Sequence, residues 1–503
     1  MISFEEFQKL SATYNVIPLV KTLLADLHTP VSTYLALREP GKASFLFESV
    51  EQDEKIGRFS FVGVGPQMSL RQSPAGVLAY EGGQSRRVEG SIFDALESFT
   101  SMYRQAPVVG ERGVLGRGGE LLPTGGLTGG FVGYLGYNAI RHIERIPIPD
   151  SELDTYDESR FDLFSGIVRF DHRRQSITIM QNVFLEPSKG LREQYESGRK
   201  AVEALELKLK RSVVGAQQFQ ADMGSLEEYS TREEYCQAVN RAKRYIFEGD
   251  VFQLVLSRKM RLRCSGDPFA VYRALRVINP SPYLFYIDFG HTRLVGSSPE
   301  VLVRVQDRMV ELLPIAGTRP RGETEAEDRQ LEQELLADEK EVAEHVMLVD
   351  LGRNDVGRIS EYGTVEVPVL KRVDRYSHVM HIVSHVRGAL RQELSPIDAL
   401  RSSFPAGTVS GAPKVRAMEL ITELEGRSRG LYAGAVGYVG LNGTLDTCIA
   451  IRTMFVHGDH VTIQTGAGIV ADSVPEAEYA ETVSKARALF AALEAASRGS
   501  QVP

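Results

Sequence analysis

No tryptophan occurs in this chain of 503 residues, although tyrosine (19) and phenylalanine (22) are well supplied. Cysteine is almost as scarce. Cys236, Cys264 and Cys448 are odd in number and scattered, which excludes a disulfide framework and a CxxC zinc site. There is no basic excess either: the net charge is −8, whereas a nucleic-acid binder needs a concentrated positive surface. No apolar run approaches the length of a membrane span, so no membrane partner is expected. The start, MISFEEFQKL, lacks the basic and apolar regions of a signal peptide and the arginines of a transit peptide. Together these absences point to the cytoplasm. What is present, 43% hydrophobic and 25% charged residues, is the balance of a globular chain with room for two or three ordinary domains, or two large interleaved ones.

Periodicity predicts an amphipathic helix over 3–28 and hairpin strands over 31–65, with a Pro40-Gly41 turn between VSTYLALRE and ASFLFESVE. A hairpin is expected over 76–92, a short helix over 91–104 and a Gly-rich mobile loop over 106–128. Strands return at 129–137 and 163–184, followed by a charged helix at 187–210. Residues 211–228 lose periodicity and read as a linker between an N-terminal domain (1–210) and a second domain (229–492), with a tail at 493–503. The second domain opens on a helix at 231–248, with Thr231 and Glu234 as a capping box and Gly249 as its stop. Strands follow at 251–264, 283–289, 293–296, 301–305 and 309–315. Helices follow at 325–351, 395–403 and 413–424, strands at 432–440, 445–454 and 460–465, and a last helix at 475–496. Strands cluster in meanders instead of alternating with helices. The expected class is therefore α+β, with mainly antiparallel sheets flanked by helices. A short echo, Gly130-Phe-Val-Gly133-Tyr134 against Gly434-Ala-Val-Gly437-Tyr438, hints at two related sheets.

The densest chemistry lies between Pro314 and Arg358. Glu341, Glu344 and His345 stand at i, i+3 and i+4 and share a helix face, beside an apolar run Val346–Val349 that is expected to be buried. The last helix repeats the spacing with Glu478 and Glu481, and Lys485 follows one turn on. Two Glu-x-x-Glu turns without a His/Cys cluster fit a hard cation with oxygen ligands, Mg²⁺ best of all. Ordinary solvated acidic turns are the competing reading. Before that helix a strand ends in Gly466-Ala467-Gly468, whose backbone N–H groups suit a carboxylate or phosphate, unless the glycines serve only a tight turn. Arg452, on the strand CIAIRTM, suits carboxylate recognition if buried. Glu300 closes a turn between strands, where a carboxylic acid can act as general acid or simply be solvated. His378, His381 and His385 lie close in sequence, but their spacing is not that of a zinc helix, and core histidines are the commoner outcome.

Taken together, these segments resemble the chorismate-utilising enzymes, most closely the anthranilate synthase component I family. The resemblance runs through LFESVEQDEKIGRFSFVG (46–63), NPSPYLFY (279–286), GSSPE (296–300), PIAGTRPRG (314–322) and DEKEVAEHVMLVDLGRNDVGRI (338–359). It continues through DRYSHVMHIVSHV (374–386), FPAGTVSGAPKVRAMELI (404–421), YAGAVGYVG (432–440), LDTCIAIRT (445–453) and QTGAGIVADSVPEAEYAET (464–482). It implies that family's fold, with the active site in a cleft, and conversion of chorismate and ammonia to anthranilate and pyruvate with Mg²⁺. By the family's motifs Glu344 and Glu481 would hold the metal, supported by Glu341 and Glu478. Gly317, Thr318, Tyr432, Arg452, Gly466, Ala467, Gly468 and Lys485 would bind substrate, Glu300 would protonate the departing hydroxyl, and His381 would assist the elimination.

Two positions speak to the product. Water-using relatives carry a lysine where this chain has Gln253, which cannot act as a base. Aminodeoxychorismate synthases typically carry a nucleophilic lysine where this chain has Ala316, so direct ammonia addition is favoured. The resemblance also implies a tryptophan-inhibitor pocket at Ser49, Pro282, Tyr283, Leu284 and Tyr438, with Lys55 a weaker candidate. The absence of tryptophan fits an enzyme that is made when tryptophan is scarce. No room remains for a glutaminase module, so a separate glutamine amidotransferase subunit (component II), in a heterotetramer, is expected. An aminodeoxychorismate synthase or a non-catalytic tryptophan-binding relative are the alternatives.

Overall fold

The computed structural model describes residues 1–49, 57–108, 126–149, 156–210, 218–375 and 379–499. Two twelve-stranded sheets, antiparallel in every named strand pairing, face each other; eleven strands of each form one path, while Gly411–Ala412 pairs off the first at Gln253–Gly266 and Glu366–Arg375 off the second at Val379–Ala389. The first runs in the order Val16–Leu24, Ser176–Phe184, Gly166–Asp171, Phe59–Val64, Ser44–Glu48, Tyr283–Asp288, Thr292–Ser298, Thr453–His457, His460–Ile469, Gln253–Gly266, Phe219–Glu228. The second runs Ile315–Pro320, Val379–Ala389, Met309–Leu312, Val301–Gln306, Leu445–Ile449, Ala435–Gly440, Gly130–Leu135, Ser159–Phe164, Met68–Ser73, Gly76–Glu81, Gln84–Val88. Both sheets mix strands from the two halves of the chain.

Alternation along each strand explains the layers. Phe45, Phe285 and Ile287 point inward and meet Val132, Val436 and Cys448 of the other sheet in a shared core. Their neighbours Leu46, Leu284 and Tyr286 point outward onto helices that include Phe269–Ile278 and Pro475–Ser497. The outer face of the second sheet is covered in the same way by Ile92–Ser101 and Pro396–Ser403. Among the described residues no helix is long and apolar enough to cross a membrane.

Several expected elements differ. Residues 3–28 form a short helix, Phe4–Leu10, and a strand, Val16–Leu24, because the run VIPLV is buried on both faces and pairs with Ser176–Phe184. VSTYLAL is a helix, Pro30–Leu37, started by Thr29 as N-cap and Pro30 in the first turn, a start signal that outranks its β-branched content. Residues 219–228, expected to be linker, pair as an edge strand with Gln253–Gly266. The predicted helix over 325–351 is two, Glu325–Ala337 and Glu339–Gly357, with Asp338 capping the second through its carboxylate to the Lys340 and Glu341 N–H groups. Val346 is exposed, while Leu348 and Val349 are buried. The Gly-rich echo belongs to one sheet, not two. Gly133 and Gly437 sit opposite each other in paired strands, and a Cβ on either would lie about 2 Å from a backbone carbonyl oxygen. Most of the expected Gly-rich loop, His378 and Lys55 lie outside the described residues.

Candidate active site

Two of the places where the chain passes between the sheets adjoin, and each of these passages carries a charged side chain. Thr292–Ser298 of the first sheet leads through Pro299-Glu300 into Val301–Gln306 of the second. Leu445–Ile449 of the second leads through Arg452 into Thr453–His457 of the first. Arg452 was expected within a strand; it sits instead at the corner, with φ +49°. Such a backbone is costly for a residue with a Cβ and collects at functional sites. The passages are stitched together: Ser297 N–H donates to the Arg452 carbonyl (3.1 Å), Ile449 N–H to the Glu300 carbonyl (3.0 Å), and Ser298 Oγ to the Ile449 carbonyl (2.7 Å).

Glu300 is buried, and Thr408 Oγ1 donates to its Oε1 at 2.6 Å. Burial pushes its carboxyl up to about 7, with the Thr408 hydrogen bond and the charges of Arg452 and Lys485 limiting the rise. Glu300 can therefore hold a transferable proton near neutrality. His381 behaves oppositely. Burial lowers its pKa, and the Arg452 charge adds to that. Its Nδ1 lies 3.1 Å from the Gly317 carbonyl and 3.0 Å from Thr318 Oγ1. An Nδ1–H donated to that carbonyl leaves Nε2 with its lone pair, a neutral base. Gly317 has φ +73° at a register irregularity opposite His381, and a Cβ there would lie 3.3 Å from Glu341 Oε2.

The remaining candidates join through contacts. Gln253 Nε2 donates to Glu344 Oε1 at 3.1 Å. A Cβ on Gly468 would lie 2.6 Å from that same Nε2, and one on Gly466 would lie 2.5 Å from the Tyr432 hydroxyl. Small residues here leave room for the side chains of Gln253 and Tyr432. Ala467 is buried on the opposite face of its strand. Lys485 donates to the Gly466 carbonyl (3.0 Å) and pairs with Glu481 (2.7 Å).

Among the described residues no group of three or more His, Cys, Asp or Glu side chains is placed to hold a metal. The four glutamates come as two pairs. Burial, then the neighbouring Glu344, raises the pKa of Glu341. Glu478 is raised by burial and then by Glu481, and it also feels the charge of Lys340 from the other helix. Half-buried carboxylates such as Glu341 and Glu478, whose charged forms are disfavoured, are donors that a hard cation relieves. His345 takes no part: it is fully buried, hydrogen-bonded through Nε2 to Ser384 Oγ at 2.6 Å, and pushed down to about 4 by burial.

Two contributors had escaped the sequence reading. Thr408 lies in the quoted FPAGTVSGAP stretch, but nothing local says that it meets Glu300. Arg429 is buried and spans Glu425 and the carbonyls of Val409 and Val255, close to the Tyr432 ring. The i, i+4 spacing with Glu425 was its only signal.

A second cavity lies between the sheets. Ser49, Pro282, Tyr283, Leu284 and Tyr438 all line it, together with Phe47, Phe61, Arg304 and Asp446. Leu284 packs its side chain into the outer core. Tyr283 donates to Asp446 (2.7 Å), and Arg304 bonds both. Ser49 Oγ is buried without a hydrogen-bond partner among the described residues.

A family model described as chorismate binding enzyme matches residues 43–491. The chain is 44% identical over 503 residues to anthranilate synthase component 1 of Acetivibrio thermocellus, covering 98% of each. It is also 44% identical over 501 residues to that of Pseudomonas aeruginosa, covering 97% of this chain and 98% of the other. The crystal structure of anthranilate synthase component I from Streptococcus pneumoniae matches with a TM-score of 0.69 at 33% identity, over 93% of this chain and 98% of that one. The menaquinone-specific isochorismate synthase of Escherichia coli shares the fold, with a TM-score of 0.68 at 20% identity over 97% and 98%. With a family match over most of its length and such relatives along all of it, the chain belongs to the chorismate-binding enzymes.

Proposed function

We propose that the protein is the large subunit of an anthranilate synthase, joining ammonia to chorismate and releasing pyruvate to leave anthranilate. The reading rests on a carboxyl pushed up to about 7, Glu300, and a histidine whose pKa burial lowers, His381, both of which feel the charge of Arg452. The chemistry needs both: an acid for the departing hydroxyl and a base for a later proton. Ammonia is itself a nucleophile, which agrees with Gln253 and Ala316 standing where a lysine would be needed for water or for covalent capture. Arg452 and the Gly466–Gly468 amides suit the enolpyruvyl carboxylate, with Gly317, Thr318, Tyr432 and Lys485 completing the substrate contacts. Glu344 and Glu481, supported by Glu341 and Glu478, would hold Mg²⁺, which when bound neutralises the ring carboxylate as a Lewis acid.

The catalytic candidates all fall between 253 and 485, which supports a catalytic domain at 229–492. The cavity at Ser49 draws on segments of both halves and suits tryptophan as a feedback inhibitor. Its rings give apolar walls, and the Ser49 hydroxyl, which has no hydrogen-bond partner among the described residues, can bond a ligand. A glutaminase subunit would supply the ammonia, in the cytoplasm. The test incubates the purified chain with chorismate, Mg²⁺ and ammonium at alkaline pH and follows anthranilate fluorescence. No product, or 4-amino-4-deoxychorismate instead, overturns the proposal.

A further inference from the structure

Glu300 is buried, yet an acid that gives up a proton each turnover must get one back while substrate covers its other side. A small cavity adjoins it, with a volume of about 40 Å³, lined by Glu300, Thr408, Ser403 and Asp355 between walls of Leu312, Leu348 and Leu351. A water needs ~10–15 Å³ on this measure and two or more polar partners, so the space admits water. Ser403 points independently to such an occupant. It is 1% exposed, and its Oγ has no hydrogen-bond partner among the described residues. A buried hydroxyl left unpaired costs about 1–3 kcal/mol, and a cavity water removes that cost. Asp355 is also buried, and Lys414 Nζ donates to its Oδ2 at 2.8 Å. The Lys414 side chain is 14% exposed and so connects this pair to solvent.

We propose that this cavity is the proton-return path of the enzyme, carrying protons from the Asp355–Lys414 pair through water and the Ser403 hydroxyl to Glu300. The inference rests on Glu300 being the acid of the proposed reaction. As the C–O bond to the departing hydroxyl breaks, the electron pair goes to oxygen, which takes the Glu300 proton and leaves as water. The Glu300 carboxylate then takes a proton from the cavity water. That water recovers one from the Ser403 hydroxyl, which is refilled from the Asp355 side, and bulk water makes up the balance. The charged groups facing Glu300 are Arg452 and Lys485; those facing Asp355 are Lys414 and Arg358. Burial raises the pKa of Asp355, which helps it to hold a proton in transit. Ser403 is a positioning residue here, because it reaches the substrate only through Glu300.

The experiment measures ammonia-dependent turnover of Ser403→Ala, Ser403→Thr and Asp355→Asn, with the solvent deuterium isotope effect on kcat and the melting temperature. The relay predicts that Ser403→Ala loses about tenfold in kcat, part of what general acid catalysis contributes, with KM for chorismate little changed. It also predicts a larger isotope effect, recovery in Ser403→Thr, and slowing in Asp355→Asn with the same isotope signature. A purely structural Ser403 predicts the reverse: wild-type kcat and isotope effect, with a melting temperature unchanged or raised. That result overturns the relay. Glu300→Gln, run alongside, separates the two readings. If it turns over normally, Glu300 is not the acid and both fall; if it is inactive while Ser403→Ala is normal, only the relay falls.

Discussion

Glu300 and Arg452 stand on two neighbouring passages of the chain from one sheet to the other, and the Arg452 charge holds down the pKa of the buried Glu300 carboxyl. The same guanidinium lowers the pKa of His381. One cation thus acts on both candidate proton-transfer groups.

This arrangement sets the pH dependence. At a constant concentration of free ammonia, kcat/KM for chorismate should fall as pH rises through about 7, where Glu300 loses its proton. Arg452→Met should move that limb to higher pH, because the charge favouring the carboxylate is gone, and should also weaken chorismate binding. A limb that stays in place would remove Arg452 from the neighbourhood of the acid. Glu300→Gln should lose about 10²–10⁴-fold in kcat.

Stability should follow the same group. Glu300 binds its proton more tightly folded than unfolded, so between its ordinary 4.5 and about 7 the folded state keeps a proton that the unfolded state has lost. Its contribution to stability is therefore intact below that window and declines as pH rises through it. Glu300→Gln should accordingly raise the melting temperature at pH 8 more than at pH 4. The gain is a few kcal/mol at most, at ~1.4 kcal/mol per unit. Equal effects at both pH values would contradict the raised carboxyl.

Gly468→Ala tests the packing behind the site. Its new Cβ would meet Gln253 Nε2 at 2.6 Å and push that side chain off Glu344. A misplacement of this size costs about 100-fold in rate when the displaced groups position reactants. The expected signature is lost activity with a raised Mg²⁺ requirement and a melting temperature near wild type. Unchanged Mg²⁺ dependence would detach Gln253 from the metal pair.

Ser49→Ala addresses the second cavity. Removing a buried hydroxyl that has no hydrogen-bond partner among the described residues should stabilise the free protein by roughly 1 kcal/mol. It should also raise the tryptophan concentration needed for inhibition about tenfold, the worth of one good hydrogen bond. Inhibition unaltered by this change would place tryptophan elsewhere. Cys448 lines the cavity, and the next residue, Ile449, donates to the Glu300 carbonyl.

Local chemistry was legible in the residues: the capping box at Thr231, the two Glu-x-x-Glu turns, and the strand ending in Gly466-Ala467-Gly468. Each is written in neighbours a few positions apart, where helix and strand periods apply. Other elements misled for the same reason. VIPLV reads as part of a helix until Ser176–Phe184 arrives beside it, and CIAIRTM reads as one strand until two sheets claim its two ends. Why Glu300 meets Thr408 and why Arg452 turns a corner depend on contacts between residues 100 or more positions apart. The raised carboxyl of Glu300 and the neutral ring of His381 arise from desolvation, and a residue is desolvated by whatever the whole fold packs around it. The amino-acid sequence alone identified which side chains were available and the family they resemble. Only the tertiary structure decided which of them were buried together, and so which could hold or release a proton.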